Sequence, residues 1–200
     1  TGTQTFKYGA LGEITETERI INSVNGESKF FNTKFTYDSW GKTYQIIYPD
    51  NEVVNYSYNK VGQLVHISND NKFVYLEDVK YNFFDQPTEI TYGNGTVNYN
   101  EYDITQRLRA QQVDSSEDGI LMRNIYNYDK NQNITGISNQ HSLFDQFQIG
   151  GTYQKSYGYD GFNRLSKAYG NWVGYEEEHN YELYMDYNAT HGISTKSQKH

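Results

Sequence analysis

FTYDSWGKTYQIIYPDNEVVNYSYNKVGQLVHI, residues 35–67, contains nearly the same phrase twice. Tyr37-Asp38-Ser39-Trp40-Gly41-Lys42 returns as Tyr58-Asn59-Lys60-Val61-Gly62-Gln63. Asp and Asn bond the backbone two residues on and so start a turn. Glycine four residues after the tyrosine supplies the positive φ that closes it. The phrase therefore reads as a β-hairpin built on a type I turn with a left-handed residue and a G1 bulge after it.

Anchored on tyrosine, the phrase occurs eight times, at Tyr8, Tyr37, Tyr58, Tyr81, Tyr102, Tyr128, Tyr159 and Tyr187. The steps of 29, 21, 23, 21, 26, 31 and 28 residues fit one supersecondary unit repeated along the chain. Two residues before the tyrosine stand Phe6, Phe35, Tyr56, Val79, Tyr126, Tyr157 and Met185, with Asn100 as the exception. That period of two is a strand with one buried face. After the tyrosine come Asp38, Asn59, Asn82, Asp103, Asp129, Asp160 and Asn188, with Gly9 in the first copy. The positive-φ place holds Gly12, Gly41, Gly62, Asp85, Gln106, Gln132, Asn163 and His191. The two glutamines are the residues least suited to it, so those turns are expected to be distorted or to hold Gln left-handed at a cost. Ile14, Thr43, Leu64, Pro87, Leu108, Ile134, Leu165 and Ile193 then open the next strand.

Turn signals at the other strand ends are Asn25-Gly26, Pro49-Asp50-Asn51, Asn69-Asp70-Asn71, Gly93-Asn94-Gly95 and Ser115 to Gly119, with looser stretches near 141–151 and 170–174. The chain is thus predicted to be all-β, a long antiparallel meander of about sixteen strands with no helix of useful length. Flat, such a sheet would be roughly 75 Å wide at ~4.8 Å per strand. Sheets of that breadth curl, split or close, so a strongly curved or spiralling sheet is expected.

Composition narrows the function classes. The 200 residues fit one domain or a piece of a larger one, and mean hydropathy is −0.89. Yet 16% of residues are aromatic, with Tyr 21 and Phe 10, which disordered chains lack. Net charge is −8, which disfavours nucleic acid or an anionic membrane as partner. There is no cysteine, hence no disulfide framework or thiol chemistry. No apolar run suits a membrane-spanning helix, so no membrane insertion is expected.

The run Tyr-Asp-x-x-Gly-Arg/Asn-Leu, as in Tyr58 to Leu64, Tyr102 to Leu108 and Tyr159 to Leu165, resembles the YD repeat of the Rhs (rearrangement hotspot) family, of teneurins and of the C component of insecticidal toxin complexes. Gln86-Pro87-Thr88 resembles that family's variant ending in Asn-Pro-Thr. The resemblance covers essentially the whole chain. It implies a β-sheet strip spiralling into a hollow shell, which in toxins encloses a C-terminal effector. On this reading residues 1–200 are a single YD-repeat segment of about eight repeats, opening on Thr1 as an excerpt of a larger shell protein. Secretion or a cell-surface location, in bacteria, goes with it. The expected partners are the rest of the parent chain or its effector.

Candidate chemistry is sparse. Glu176-Glu177-Glu178-His179, with Glu182, is the densest ionisable cluster, and Glu176 and Glu178 would share a strand face on which a hard cation could sit. An exposed charge run is more often simply solvated. His66 and His191 lack zinc-site spacing. No GxSxG elbow, phosphate loop or HExxH occurs. Asn-x-Ser/Thr sites at Asn55, Asn94, Asn133 and Asn188 matter only in a eukaryotic secretory pathway. The sequence therefore predicts a structural shell segment with no catalytic residue, metal or cofactor. The alternative is an extracellular module binding carbohydrate or a cell-surface protein through exposed aromatics, Trp40 and Trp172 foremost. An enzyme ranks below both. Unpaired backbone near residues 3–8 and 192–196 predicts self-association through sheet edges.

Overall fold

A computed structural model describes residues 2–22, 27–141, 151–173 and 177–199. They form sixteen strands, antiparallel neighbours in chain order in one unclosed sheet, with no helix among the described residues. The first seven are β1 (Gly2–Tyr8), β2 (Ile14–Asn22), β3 (Ser28–Tyr37), β4 (Thr43–Ile47), β5 (Val53–Tyr58), β6 (Leu64–Asn69) and β7 (Val74–Tyr81). Next come β8 (Pro87–Tyr92), β9 (Val97–Tyr102), β10 (Leu108–Ser115), β11 (Gly119–Tyr128) and β12 (Ile134–Asn139). The last four are β13 (Tyr153–Tyr159), β14 (Leu165–Val173), β15 (Glu178–Tyr187) and β16 (Ile193–Lys199). Two compact units can be distinguished, Thr1–Asp85 with Ile90–Gly95, and Gln86–Glu89 with Thr96–His200.

Each repeat tyrosine ends a strand, and each residue six places on opens the next, in all eight copies. The backbone closes seven of these hairpins with the same pair of bonds, and in the fourth Asp85 N donates to Asn82 O at 3.2 Å. In the second, Gly41 N donates to Asp38 O at 3.0 Å and Asp38 N to Lys42 O at 2.9 Å. All eight residues at the left-handed place have positive φ, from 60° at Asn163 to 86° at Gly12. Gln106 and Gln132 take it without distortion, at 66° and 71°. A second irregularity was not visible in the sequence. In the seven hairpins other than the fourth, one residue just inside the even strand is skipped, as Tyr44 is between Tyr37↔Thr43 and Thr36↔Gln45.

The other strand ends follow most of their turn signals. Asn51 (φ 68°), Lys72 (65°), Gly95 (82°), Gly119 (74°) and Gly151 (114°) are the described residues of positive φ there. The loose signal at 170–174 is a correction. Gly170 to Val173 belong to β14, and Gly170 is buried where the Tyr181 ring crosses it, 2.3 Å from where a Cβ would stand. That glycine makes room for a ring and does not turn the chain. Asn25-Gly26 and residues 142–150 lie outside the described residues.

The apolar layer is one side chain deep. Val54, Leu76, Val79, Ala110 and Ala168 are its buried members, and among the described residues no large side chain is wholly enclosed. Within the first unit Phe35, Ile46, Val54, Tyr56, Ile67 and Leu76 share one face, while Thr36, Gln45, Asn55, Ser57 and His66 hold the other. That alternation is the period of two read from the sequence.

Candidate functional site

The repeated residues converge at one end of the strands, where the carboxylate or amide after the tyrosine caps its own turn. Asp38 Oδ1 accepts from Trp40 N at 2.8 Å and Lys42 N at 2.9 Å. Asn59, Asp103, Asp129, Asp160 and Asn188 each take the equivalent pair of amides, and Asn82 accepts from Phe84 N. These bonds favour the charged form, so Asp103, Asp129 and Asp160 titrate below the usual carboxylate range. The leading cause is a side-chain hydrogen bond, from Thr105, Asn133 and Arg164 respectively. In the first repeat, where Gly9 lacks the group, Glu13 Oε2 accepts from Leu11 N at 2.9 Å. The capping carboxylate has moved four residues along the chain.

The tyrosines do something the sequence did not disclose. Each of the seven from Tyr37 onward donates its hydroxyl to the carbonyl of the residue that opens the even strand of the preceding repeat. In the first unit Tyr37 donates to Ile14 O, Tyr58 to Thr43 O and Tyr81 to Leu64 O, at 2.7, 2.8 and 2.7 Å. In the second unit Tyr102 donates to Pro87 O, Tyr128 to Leu108 O, Tyr159 to Ile134 O and Tyr187 to Leu165 O, at 3.0, 2.8, 2.8 and 2.7 Å. A half-buried ring is thus seated with its polar tip satisfied, and the skipped residue next to that carbonyl interrupts the ladder beside it. Burial pushes the hydroxyls of Tyr58, Tyr81, Tyr102, Tyr128 and Tyr159 above their ordinary range. Asn100, the exception to the apolar pattern, adds a second donor to Pro87 O at 3.0 Å.

A return contact runs the other way, from the residue five places after the tyrosine to the turn of the next repeat. Lys42 Nζ bonds Gly62 O, and Gln63 bonds Asp85. Gln86 donates to Gln106 O at 2.8 Å, Arg107 to Asp129 O at 3.5 Å and Asn133 to Asn163 Oδ1 at 2.8 Å. Arg164 meets His191 Nδ1 at 3.0 Å and lies 4.4 Å from the centre of the Tyr187 ring. The signal was present in the sequence as a long polar residue at a fixed offset, but turn chemistry alone gives it no role.

The two tryptophans singled out for binding belong to different units. Trp40 is an exposed turn tip in the first unit. Trp172 lies in the second, stacked on His179 with centroids 5.3 Å apart at 24°. It belongs to a row of directly opposed residues, Gln111, Asn124, Asn139, Tyr153, Trp172 and His179, one from each of β10 to β15. Such a row is cross-strand packing. Glu178 is exposed and accepts from Asn171 Nδ2 at 3.2 Å, while Glu176 lies outside the described residues. His66 Nδ1 lies 3.2 Å from Glu77 O. Among the described residues no three His, Cys, Asp or Glu gather as a metal site. On the face opposite Trp172, a shallow depression of about 370 Å³ spans β13 to β15, with exposed Tyr169 and Tyr184 beside Lys167 and Glu182. Sequence reading passed over those rings because the tryptophans drew attention first.

No family model and no curated protein matches this chain. Solved structures do. A crystal structure of TcdB2-TccC3-Cdc42 matches over 99% of this chain with a TM-score of 0.80 at 15% identity. A Photorhabdus luminescens Tc holotoxin pore carrying a TccC3 substitution matches over 98% with a TM-score of 0.78, and a crystal structure of TcdB2-TccC3 over 98% with 0.79, both at 16% identity. The chain spans about 11% of the length of each of those chains. No helix among the described residues is long and apolar enough to cross a membrane. At these identities the likeness shows a shared fold: the antiparallel meander of this chain is also a stretch of much longer Tc-toxin polypeptides.

Proposed function

We propose that this chain is a non-catalytic structural segment of a secreted or surface-exposed bacterial YD-repeat (Rhs-like) shell that encloses or presents an effector, with residues 1–200 acting as one segment of wall. The observation that carries this reading is the tyrosine bond to the preceding repeat, present at every one of the seven junctions. Seven of the eight repeated tyrosines join one hairpin to the next, which is the work of a wall. The likeness to stretches of Tc-toxin chains supports the same reading. The parent chain or its effector is then the natural partner.

A recognition module is the second reading, favoured by two observations. Leu11, Trp40, Val61, Phe83 and Phe84 are exposed apolar turn tips in four successive repeats of the first unit. Tyr169 and Tyr184 flank the depression in the second unit with a lysine and a glutamate, a combination that suits a sugar ring. Calorimetric titration with calcium and a glycan-array screen on the 200-residue chain separate the two. The wall reading expects silence in both. Selective glycan capture lost on Tyr184→Ala or Trp172→Ala, or stoichiometric calcium uptake, replaces it with the recognition module.

A further inference from the structure

Three places after each repeat tyrosine the chain reaches the tip of its turn. In the first unit that place holds Leu11, Trp40, Val61 and Phe84 in four successive repeats, from 61% to 93% exposed. One exposed apolar side chain needs no explanation, but a row of them at one repeated place does. The turn itself does not select them. The second unit closes its turns with the same backbone bonds and sets Thr105, Asn131 and Thr190 there, with Phe162 as the one apolar tip. In that unit side chains bridge from tip to next turn. Asn131 Nδ2 donates to Asn163 Oδ1 at 3.0 Å, and the Phe162 ring meets the His191 ring edge-on with centroids 5.7 Å apart. In the first unit the bridging place is bare at Gly41, where nothing lies within 4 Å of the Cβ it lacks. At Gly62 the edge of the Trp40 ring stands 3.8 Å from that point, forming one wall of a notch that Val61 continues. The Trp40 indole N–H donates to no acceptor among the described residues.

We propose that this row of tips binds a proline-rich segment of another polypeptide in the polyproline II conformation, one turn of the ligand to each repeat. The spacing selects that conformation. Successive tips are two strands apart in one sheet, hence ~9.6 Å at ~4.8 Å per strand. A polyproline II helix returns to the same face every three residues, or ~9.3 Å. Over the three intervals from Leu11 to Phe84 the two repeats drift apart by only about 1 Å. An α-helix returns after seven residues, ~10.5 Å, and drifts by about 3 Å over the same span. An extended strand returns every ~6.8 Å and is out of step at the first interval. The chemistry agrees with the spacing. Polyproline II has no internal hydrogen bonds, so its carbonyls face outward and can accept from the Trp40 indole. Its proline rings pack between aromatic and aliphatic ridges, as Trp40 and Val61 provide, and its rigidity leaves little entropy to lose on binding. Because the tips are open to water, the contact is a weak one that several repeats must share.

The proposal rests on the turn tips of the recognition reading, and on neither the tyrosine ties nor the depression beside Tyr169. Glycan and calcium results therefore leave it as it is, and its failure leaves them. The sequence has only two tryptophans, so Trp172→Phe makes Trp40 the sole indole reporter. That chain is titrated with an unlabelled peptide of about four polyproline II turns carrying proline at every third residue. Trp40 emission should shift to the blue and saturate below about millimolar peptide. Peptides with the same number of prolines at every second or every fourth residue should bind several-fold more weakly, as should an amphipathic peptide with leucine heptads. Val61→Asp sets a charge in the notch and should weaken binding about tenfold with an unchanged circular dichroism spectrum. Phe162→Asp, in the second unit, should leave binding unaltered. Absence of a saturable shift, or equal binding of the off-period peptides, overturns the proposal. Tighter binding of the leucine-heptad peptide overturns it in favour of a helical partner. An unchanged affinity in Val61→Asp shows that the peptide sits elsewhere and overturns it too.

Discussion

Asn59 and Asn69 cap turns of the same geometry at opposite ends of β6. Each side chain accepts the amide four residues on, from Gln63 and Phe73, both at 2.9 Å. Each backbone N–H closes on the carbonyl of that residue, and the left-handed places are filled by Gly62 and Lys72. The neighbours differ. Before Asn59 stands Tyr58, bonded to Thr43 O of the preceding repeat. Before Asn69 stands Ser68, which makes no side-chain bond among the described residues. The hairpin is a matter of Asx chemistry and can be made at either end. What makes the unit a repeat is the ring that ties it to its neighbour.

The largest effect should come from removing that tie. Tyr58→Ala deletes a half-buried ring, its bond to Thr43 O and its contact with the Lys42 ammonium 5.3 Å from the ring centre. A loss of about 3–4 kcal/mol in urea denaturation is expected. Tyr58→Phe keeps the ring and should lose about 1 kcal/mol, whereas Ser68→Ala should stay within about 0.5 kcal/mol. Equal midpoints for Tyr58→Phe and Ser68→Ala would abolish the distinction between the two strand ends.

Alkali tests the same ties together. Burial raises the hydroxyls of Tyr58, Tyr81, Tyr102, Tyr128 and Tyr159, and pushes Tyr56 up to about 12. An acid that is harder to ionise when folded binds more protons in the native state. Its stabilisation is whole below the unfolded value of about 10 and is lost as pH rises through the folded one. Stability should therefore fall between about pH 10 and 12, with tyrosinate absorbance and loss of strand signal rising together. Titration of all tyrosines near pH 10 with the fold intact would show the hydroxyls to be free.

Much of this was legible in the sequence because Asx residues, glycines and period-two apolar positions act through neighbours along the chain. Tyr58, Asn59 and Gly62 name their own hairpin. The tie was not legible, because Tyr58 and Thr43 are fifteen residues apart and their bond depends on how adjacent hairpins pair. Nor was the role of Gly170, whose missing side chain serves a ring on the next strand. Trp172 misled for a related reason. Its stacking partner His179 becomes its opposite number only once β14 and β15 are in register. Of the acidic run, Glu178 and His179 open β15 and point to opposite faces, and Glu176 lies outside the described residues.

The left-handed places give smaller effects of both signs. Gly62→Val should cost about 1–2 kcal/mol from backbone strain, and its Cβ would meet Lys42 Nζ at 2.9 Å and disturb the return contact. Gly41→Val carries the strain alone, since nothing lies within 4 Å of that Cβ. Lys72→Gly and Gln106→Gly relieve the same strain and should gain up to about 1 kcal/mol after the entropy of the unfolded glycine is deducted. A gain at Gln106 with a loss at Lys72 would mean that the two strand ends differ in turn geometry after all.

The smallest effect belongs to the first repeat, where the cap comes from the far side of the turn. A Cβ on Gly9 would stand 2.0 Å from Glu13 Oε1, so Gly9→Asp must expel the Glu13 side chain. Because that group is the tip of a flexible chain, it can swing away while the introduced carboxylate takes over the Leu11 amide. Two carboxylates then share one turn, and a net change of only about 0.5 kcal/mol, unfavourable, is expected. Glu13→Lys alone orphans the Leu11 N–H and should cost about 1 kcal/mol. Together the two substitutions recreate the Asp38–Lys42 pair of the second repeat, whose carboxylate caps its own turn and whose ammonium reaches the next turn at Gly62 O. The double variant should therefore be at least as stable as the natural chain, a coupling of about 1–2 kcal/mol in a double-mutant cycle. Simple addition of the two losses would mean that Glu13 does not stand in for the missing aspartate, and that the first hairpin is held by its backbone bonds alone.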